Sequence, residues 1–302
     1  MPAASDHSLT AVAPYRLDLT VNVLRRFSTN LVDRFTADGR YLRALAIPAG
    51  AAIVEVAQTE PTRLAVRLHQ ATGDRAALLA TVGEMLGVDR ELGAFNRGSD
   101  RIPWLRSLAR RMRGVKPPRY PTLWEACVNA VVFQQVSIHA AGAILGRAIA
   151  ALGQPHSLGD VSLHAFPRVE QFAAAEPEQL RGFGLSAGKV ATLQRIAAAL
   201  ADGALDARTI EPLDSPAAAQ ALCAVKGIGP WTAAVMLLRG FGRLDVFPAG
   251  DSGVARSLRH IAGDAPVDVE QALGVLGAQR GMLYYHLLLA RLEAKGLLAA
   301  GT

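Results

Sequence analysis

The sequence predicts an α+β fold, in which an N-terminal α+β domain built on an antiparallel sheet, at residues 10–98, precedes an all-α region at residues 99–302. Between Tyr15 and Gln70, apolar and polar residues alternate with a period of two, which is typical of half-buried strands. After about Asn96 this alternation gives way to Ala-rich and Leu-rich segments of helical length, separated by Gly and Pro residues. A chain of 302 residues is long enough for two or three units that each bury a core.

The pattern divides both regions into elements. Strands are predicted at residues 15–19, 41–45 and 64–68, with turns at Gly39 and at residues 48–50. A helix at residues 75–86 completes the first region, and no further strand is predicted after it. Helices are then predicted at residues 122–151, 166–174, 177–182, 187–202, 216–225, 230–240, 252–262, 268–276 and 279–295.

Basic residues exceed acidic residues in the chain, and the formal net charge is +6. Such a surface attracts polyanions over distances of roughly 10 Å. Residues 97–119 hold eight Lys or Arg residues against one Asp, a local net charge of +7. This segment is either a phosphate-binding strip or a solvated helix face. Nucleic acid is therefore a candidate partner, although mild basicity alone is common in soluble proteins.

The cysteine content restricts the cofactors. Only Cys127 and Cys223 occur, both within apolar helical patterns, so no disulfide framework, four-cysteine iron–sulfur cluster or zinc ribbon fits the sequence. No stretch approaches the roughly 20 apolar residues that span a bilayer, and the first residues lack the pattern of a secretion signal. We therefore expect a cytoplasmic protein without membrane contact, iron–sulfur cluster or zinc.

A helix, a tight turn and a second helix are predicted around Gly227. Ser215 and Pro216 are predicted as the N-cap and first turn of the first helix, and Pro230 opens the second. Gly227 and Gly229 permit positive φ angles and leave backbone N–H groups uncovered beside the positive end of a helix. Such a turn suits a phosphate group, although many glycine pairs between helices are ordinary helix ends.

The turn at residues 226–229, called the hairpin turn below, is followed by a longer motif. Residues 231–241 read Trp-Thr-Ala-Ala-Val-Met-Leu-Leu-Arg-Gly-Phe, and residues 244–253 read Leu-Asp-Val-Phe-Pro-Ala-Gly-Asp-Ser-Gly. Within the second stretch, Asp251 lies 22 positions after Gly229. This order resembles the helix-hairpin-helix DNA glycosylases of the 3-methyladenine DNA glycosylase II type.

Earlier segments extend the resemblance. Residues 124–145 contain Phe-Gln-Gln-Val-Ser-Ile-His-Ala-Ala, which is similar to the helix and loop with which this family probes the duplex, and residues 166–197 match as well. The weaker N-terminal similarity suggests the family's appended sheet domain, which resembles the TATA-binding protein. The match spans most of residues 15–295 and implies two helical subdomains with the active site in the cleft between them.

The resemblance implies that Asp251 is the catalytic carboxylate. In the family this group faces the sugar of a flipped nucleotide, where its negative charge stabilises an oxocarbenium-like transition state and helps to orient the attacking water. The sequence pattern alone favours a second interpretation, in which Asp251 is the N-cap of the helix that starts at Ser252. Asp245 is the nearest rival, and we expect it to hold its own loop through backbone hydrogen bonds.

The resemblance also implies a pocket with aromatic surface, because an electron-poor or charged base binds to π faces. Some relatives carry further aromatic residues near the positions of Val235 and Leu288, so the breadth of the substrate range stays open. Each helix-borne aromatic residue is alternatively a core residue. The pocket candidates are Trp231, which ranks first, and Phe133, Trp124, Tyr284 and Tyr285.

DNA contacts are implied at both motifs. An enzyme that extrudes a base must fill the gap, and Gln135 is the candidate plug, with Val136 next and a plain polar helix end as the alternative. The resemblance further implies a Na⁺ or K⁺ ion on the backbone carbonyls of Cys223, Val225 and Ile228, and no required cofactor. The implied DNA-binding residues are Gln134, Gln135, Val136, Ser137, Lys226, Gly227, Ile228, Gly229 and Thr232.

Three functions remain open at the level of the sequence. The resemblance implies a monomeric, monofunctional glycosylase that removes alkylated purines from damaged double-stranded DNA in base excision repair. A lyase for oxidised bases carries a lysine just after the hairpin turn, where this chain has Trp231, and Lys226 precedes the turn. A non-catalytic DNA-binding module is the third interpretation, against which the presence of Asp251 argues. The sequence does not rank 3-methyladenine, 7-methylguanine, hypoxanthine and ethenoadenine as substrates.

Overall fold

The computed structural model of the chain describes residues 4–27, 29–47, 50–71, 73–250, 252–262 and 267–298. An N-terminal antiparallel sheet is followed by a helical region, as the sequence predicts. Within the described ranges, no helix combines the length and the apolar character needed to cross a lipid bilayer.

The N-terminal sheet has five antiparallel strands in the described part of the chain, in the order β1-β5-β4-β3-β2. The strands predicted at residues 41–45 and 64–68 lie in the third and fifth of them. The sequence pattern does not predict the first strand, because its residues lack apolar alternation, and pairing with the fifth strand accounts for it. The strands are β1 (Ser5–Thr10), β2 (Arg34–Phe35), β3 (Arg40–Ile47), β4 (Gly50–Glu60) and β5 (Arg63–His69).

The strand predicted at residues 15–19 is wrong, because these residues lead into helix α1 (Leu17–Arg25). This helix lies between the sheet and the helical region and is buried on two faces. A helix with two buried faces carries apolar residues at every second position, which imitates the alternation of a strand. Leu17, Val21 and Leu24 pack in the sheet core, whereas Leu19 and Val23 pack in the helical core.

Helix α2 (Arg75–Leu86) follows the sheet at the predicted residues, and the Asp74 carboxylate caps it by accepting a hydrogen bond from the N–H of Ala77. The helical region then has α3 (Gly93–Asp100), α4 (Pro103–Arg111), α5 (Leu123–Val132), α6 (Ile138–Leu152), α7 (Val169–Ala173), α8 (Pro177–Gly182), α9 (Ala187–Ala201), α10 (Ala207–Ile210), α11 (Ser215–Cys223), α12 (Pro230–Arg239), α13 (Ser252–Ala262), α14 (Val269–Leu276) and α15 (Met282–Glu293).

The helix predicted at residues 122–151 is in fact two helices, α5 and α6. The chain breaks because Gln135 adopts a left-handed φ of +53° and Ser137 caps α6, its hydroxyl accepting from the N–H of Ala140. A second correction concerns α11, whose N-cap is Asp214 instead of Ser215. The carboxylate is the better acceptor for the free N–H groups of the first turn.

A short hairpin of strands interrupts the region predicted to be all-helical. Strands β6 (Pro155–Leu158) and β7 (Val161–His164) pair with each other, and Leu163 packs against Leu42 and Ile53 of the main sheet. The four-residue strands carry too little alternation to be predicted. Their contact with the sheet, which sequence periodicity does not contain, accounts for them.

Two hydrophobic cores organise the described helical region. One contains α5, α6, α9, α11 and α12, and the other contains α3, α4, α13, α14 and α15 together with one face of α1. Helix α12 joins them, since Leu237 packs in the first core and Leu238 in the second. Helix α3 crosses the boundary predicted between residues 98 and 99, and its Phe95 packs in the second core. A cleft lies where the two cores meet.

A buried ion cluster connects the sheet to α5. The guanidinium of Arg43, which is 1% exposed, donates to Asp33 Oδ1 at 2.6 Å and to Glu125 Oε1 at 2.6 Å. The hydroxyl of Tyr41 also donates to Asp33, at 2.7 Å. The cluster therefore fixes the direction of α5, whose C-terminal end reaches the cleft.

Candidate active site

The cleft between the two helical cores contains a cavity of about 890 Å³. It is lined by the loop between α5 and α6, by the hairpin turn with α12, by the start of α13 and by α15. Segments that are far apart in the sequence thus meet at one place. The sequence-predicted residues that line it are Phe133, Gln134, Gln135, Val136, Ser137, Gly227, Gly229, Trp231, Thr232 and Tyr284.

The two glycines of the hairpin turn differ in why the structure has glycine at their positions. Gly227 has a φ of +104°, and a Cβ atom there would clash with the side chain of Thr192. Gly229 has an ordinary φ of −94°, contrary to the sequence expectation, and a Cβ atom there would meet nothing within 4 Å. The chain itself therefore requires glycine at position 227, whereas at position 229 glycine leaves an open approach to the N-terminus of α12.

The remaining hairpin residues lie off the cavity. Ile228 is buried at 4% exposure and anchors the turn in the first core. Lys226 is exposed, does not line the cavity, and its carbonyl accepts from Arg195 Nε at 3.4 Å. Any DNA contact of Lys226 is thus made outside the cavity.

Residues 133–137, called the probe loop below, present two exposed side chains at the cavity. Gln135 is exposed and holds the left-handed backbone conformation noted above, which costs energy for a residue other than glycine. Val136 is an exposed large apolar residue, with 37% of its surface accessible. Exposed apolar surface beside a cavity is typical of a binding site.

Gln134 has a different role from its neighbour Gln135. Its side-chain amide donates to Thr232 Oγ1 at 2.7 Å and to the carbonyl of Gly227 at 3.3 Å. Lys189 of α9, which belongs to the stretch 166–197 that resembles the family but for which the sequence suggested no role, donates from Nζ to the carbonyls of Val132 at 2.9 Å and Gln134 at 2.8 Å. These bonds connect the probe loop to the hairpin turn, and burial lowers the pKa of Lys189.

Three of the five aromatic candidates line the cavity, namely Trp231, Phe133 and Tyr284. Trp124 and Tyr285 lie in the packed cores instead, which corrects the expectation that they form the pocket. The Trp124 ring donates from Nε1 to the carbonyl of Pro167 at 3.0 Å, and the Tyr285 hydroxyl donates to Leu238 at 3.1 Å. Tyr284 and Tyr285 are adjacent on α15, so they necessarily point to different sides of that helix.

Cationic side chains form another part of the lining. Arg26, Arg256, Arg291 and Lys295 line the cavity, and no Asp or Glu does so among the described residues. Lys295 Nζ lies 2.8 Å from His139 Nε2 at the exposed edge. Arg26 was not predicted from the sequence, because it follows α1, a helix that the pattern does not predict, and lies far from the motifs.

The basic segment at residues 97–119 forms α3, α4 and the chain that follows, and none of its side chains lines the cavity. Most of its arginines are exposed, and some make ion pairs, such as Arg110 with Asp100 at 3.0 Å and Arg111 with Glu293 at 3.1 Å. Lys116 is buried and donates to the carbonyl of Arg90 at 2.8 Å. The segment is largely a solvated helix face.

Asp251 lies outside the described residues. Gly250, directly before it, and Gly253, two positions after it, both line the cavity. Asp245, the rival, is exposed, does not line the cavity, and its carboxylate makes no hydrogen bond within the described residues. The expected loop-holding role of Asp245 is therefore wrong, and the N–H of Gly281 holds this loop instead, through the carbonyl of Leu244 at 2.7 Å.

The hairpin carbonyls suit a monovalent cation in their chemistry. The carbonyl of Val225 accepts from the N–H of Ile228 at 3.0 Å, and those of Cys223 and Ile228 accept no hydrogen bond within the described part of the chain. Free carbonyls at a helix end are ready ligands. In the same part of the chain, no cluster of three or more His, Cys, Asp or Glu side chains is arranged to hold a metal ion.

A glycine turn between two helices, opening on a shared cavity beside a probe loop, defines a helix-hairpin-helix protein. Residues 128–276 match the family described as HhH-GPD superfamily base excision DNA repair protein. Residues 128–276 of this chain therefore belong to that superfamily.

Individual relatives agree with the family match. The chain is 33% identical over 220 residues to the "Probable bifunctional transcriptional activator/DNA repair enzyme AlkA" of Mycobacterium tuberculosis, covering 72% of this chain and 43% of the relative. It is 26% identical over 185 residues to the "DNA-3-methyladenine glycosylase" of Bacillus subtilis, covering 61% of each. The chain thus spans about half the length of these curated relatives.

The fold as a whole has a solved counterpart. The structure of the 3-methyladenine DNA-glycosylase from Archaeoglobus fulgidus superposes with a TM-score of 0.78, covering 95% of this chain and 99% of that one at 22% identity. The N-terminal sheet and the helical region therefore occur together in a known architecture.

Proposed function

We propose that this protein is a monofunctional DNA glycosylase that excises alkylated purines of the 3-methyladenine type from duplex DNA, by base flipping and hydrolysis of the N-glycosidic bond. One observation carries the proposal: the hairpin turn, the probe loop and the aromatic residue Trp231 all open on one cavity of about 890 Å³. Ligand pockets have volumes of roughly 300–1,000 Å³, so the cavity can hold a whole nucleotide. The names of the curated relatives support the same activity.

The hairpin turn would hold a phosphate of the DNA strand. The open approach at Gly229 brings a phosphate to the positive end of α12. A Na⁺ or K⁺ ion on the carbonyls of Cys223, Val225 and Ile228 would add charge there when bound. Arg256, an exposed cation on the cavity lining, would hold a neighbouring phosphate.

The probe loop would occupy the gap that the extruded nucleotide leaves. Unstacking a base costs a few kcal/mol, and a side chain inserted in its place offsets part of this cost. Gln135 and Val136 are the exposed candidates, whereas the amide of Gln134 is bonded inside the protein. Gln134 therefore positions the loop instead of entering the DNA.

The cavity would bind the flipped base between aromatic faces. Trp231, Phe133 and Tyr284 supply π surface, and stacking of this kind contributes roughly 1–3 kcal/mol per base. Asp251 would supply the negative charge that stabilises the oxocarbenium-like sugar and assists the attack of water. Gly250 and Gly253, which lie close to Asp251 in the sequence, both line the cavity and support this assignment.

The absence of a lyase step is also part of the proposal. Lys226 lies outside the cavity, and Lys189 is bonded to two loop carbonyls. Among the described residues, Lys295 is the lysine that lines the cavity, at its exposed edge beside His139. It is therefore the amine that a test for lyase chemistry has to exclude.

A base-release panel tests the proposed function. Duplexes carrying single 3-methyladenine, 7-methylguanine, hypoxanthine or ethenoadenine lesions are incubated with the full chain, and the free bases are separated by chromatography. We expect 3-methyladenine release with an intact abasic strand. Binding of the lesion duplex without release of any base would show a non-catalytic module and refute the proposal.

A further inference from the structure

Arg26 forms an unusual part of the cavity wall. It follows α1 with a φ of +58°, it is 6% exposed, and its guanidinium carbon lies 4.3 Å from the centre of the Phe133 ring. Both residues line the cavity. The guanidinium thus stacks on a pocket aromatic residue instead of extending into solvent, as an arginine at the end of a helix usually does.

One nitrogen of this guanidinium is hydrogen-bonded, and another is buried without a partner. Nη2 donates to the Tyr120 hydroxyl at 3.0 Å, and this hydroxyl in turn donates to Asn129 Oδ1 at 2.9 Å. Nε is buried without a hydrogen-bond partner, and no carboxylate pairs with Arg26 among the described residues. A buried donor left unpaired costs roughly 1–3 kcal/mol. Because Arg26 lines the cavity and has no carboxylate partner there, an acceptor that enters the cavity can bind its guanidinium.

Arg239 is a second buried cation, and like Arg26 it contacts Tyr120. Arg239 is fully buried, and its guanidinium carbon lies 4.7 Å from the centre of the Tyr120 ring. Its Nη2 donates to the carbonyl of Val23 at 3.0 Å, but its Nε and Nη1 have no hydrogen-bond partner, and within the described ranges it forms no ion pair. Two buried cations therefore lie around Tyr120, and neither forms a direct ion pair within the described ranges. The nearby carboxylates of Asp33 and Glu125 pair with Arg43.

We propose that Arg26 binds an exocyclic oxygen of the flipped base and stabilises the negative charge that a neutral base acquires as it leaves. The inference rests on the proposed glycosylase function. When the C1′–N9 bond breaks, its electron pair stays on the base, and the oxygen of water bonds to C1′ while a water proton passes to a carboxylate or to solvent. A base from a neutral nucleotide departs as an anion, delocalised onto its oxygen, and then takes a proton from water.

Arg26 would discriminate between cationic N-alkylpurines and neutral purines. A cationic N-alkylpurine departs as a neutral base, so Arg26 stabilises no charge on it and repels its cationic ground state. 7-Methylguanine carries the same exocyclic oxygen as hypoxanthine, so the hydrogen bond alone does not separate them. Hypoxanthine, the probe of the neutral class, differs because its oxygen acquires negative charge as the base leaves, and this charge strengthens the bond to Arg26. Arg26 is therefore a specificity-determining residue that extends the activity from cationic to neutral purine lesions.

The test compares hypoxanthine and 7-methylguanine in duplexes of the same sequence, under single turnover at saturating enzyme. In Arg26→Met, hypoxanthine release should fall about 10–100-fold more than 7-methylguanine release, as expected when one donor to a developing anion is removed. Arg26→Lys, which keeps the charge, should restore part of the loss. Arg256→Gln changes an exposed cation of the same cavity and should weaken binding of both duplexes equally.

Each outcome decides the inference separately from the proposed function. An equal loss for both bases, or a loss for neither, would overturn it, and thermal melting of Arg26→Met separates misfolding from chemistry. If that variant does not fold, the wild type supplies the test: relative to uncatalysed rates, hypoxanthine should leave faster than unsubstituted purine, which lacks the oxygen. Release of 7-methylguanine but not of hypoxanthine by the wild type would refute the role of Arg26 and leave the glycosylase intact, whereas release of no base would refute the glycosylase itself.

Discussion

The two sides of the cavity differ in how their polar groups are satisfied. In the hairpin wall (Gln134, Gly227, Gly229 and Thr232), the polar side chains are hydrogen-bonded within the protein, as from Gln134 to Thr232 at 2.7 Å. The basic wall (Arg26, Arg256 and Lys295) faces it with positive charge that no carboxylate neutralises among the described residues. A wall that is already bonded is preorganised, and one with unpaired donors gains energy only when a ligand supplies the acceptor. The first wall therefore sets the geometry, and the second selects what binds.

The largest effect is expected at Asp251, which belongs to neither wall and is proposed to act on the sugar. Asp251→Asn keeps the shape of the side chain and removes its charge, so single-turnover base release should fall by about 10²–10³-fold or more. Asp245→Asn is the matched control, because Asp245 is exposed and lies off the cavity. Gel-shift affinity for the lesion duplex should change little in either variant. Wild-type turnover in Asp251→Asn would remove this residue from the mechanism.

A substitution at Gly227 tests whether the hairpin wall is rigid. Gly227→Ala combines an unfavourable φ with a clash against Thr192 and should lower the free energy of unfolding by roughly 2–4 kcal/mol. Gly229→Ala should cost about 1 kcal/mol or less, because its Cβ atom meets open space, and should instead weaken DNA binding about tenfold. Urea unfolding and fluorescence anisotropy measure the two quantities. Equal stability of both variants would show that the turn is not strained as described.

Lys189 holds the backbone next to the hairpin wall through its bonds to Val132 and Gln134, so a substitution there tests how the wall is positioned. Lys189→Met leaves the carbonyls of Val132 and Gln134 without their donor, at a cost of about 1–3 kcal/mol. We expect about tenfold slower base flipping, read from the fluorescence of 2-aminopurine next to the lesion, with affinity for undamaged DNA retained. Lys189→Arg should restore flipping. A parallel loss of flipping and of undamaged-DNA affinity would indicate general misfolding instead of loop positioning.

The smallest effect is expected at the exposed part of the basic wall. The logarithm of the binding constant for undamaged duplex should fall linearly with the logarithm of the salt concentration, and Arg256→Gln should reduce this slope by about one. Arg110→Gln is a control from the basic segment, since Arg110 lies off the cavity and pairs with Asp100. An unchanged slope in Arg256→Gln would place the DNA elsewhere on the surface.

The two walls also differ in how far the sequence predicts them. The hairpin turn and the probe loop are local motifs, so their residues are recognisable without knowledge of packing. Arg26 reaches the cavity only because α1 packs between the sheet and the helical core. In the sequence, the alternation that includes Leu17 and Leu19 predicts a strand here instead of this helix. Periodicity records that a residue is buried, but not which partner buries it.

The aromatic candidates illustrate the same limit at the level of single side chains. Tyr284 and Tyr285 are adjacent and equally plausible in sequence, yet only the rotation of α15 decides that Tyr284 lines the cavity and Tyr285 bonds to Leu238 in the core. Trp124 likewise points away from the cavity, to the carbonyl of Pro167. The residue types that form the pocket were predictable, whereas their orientation required the packed helices.

The most direct test of the hydrolytic mechanism is a borohydride trap during turnover on a duplex with one alkylated purine. We expect release of the free base, no covalent protein–DNA complex, and strand breaks only after hot alkali, because water attacks C1′ with the help of Asp251. A trapped complex that persists in wild type and disappears in Lys295→Met would show that an amine of the cavity lining attacks the sugar, and would contradict the account.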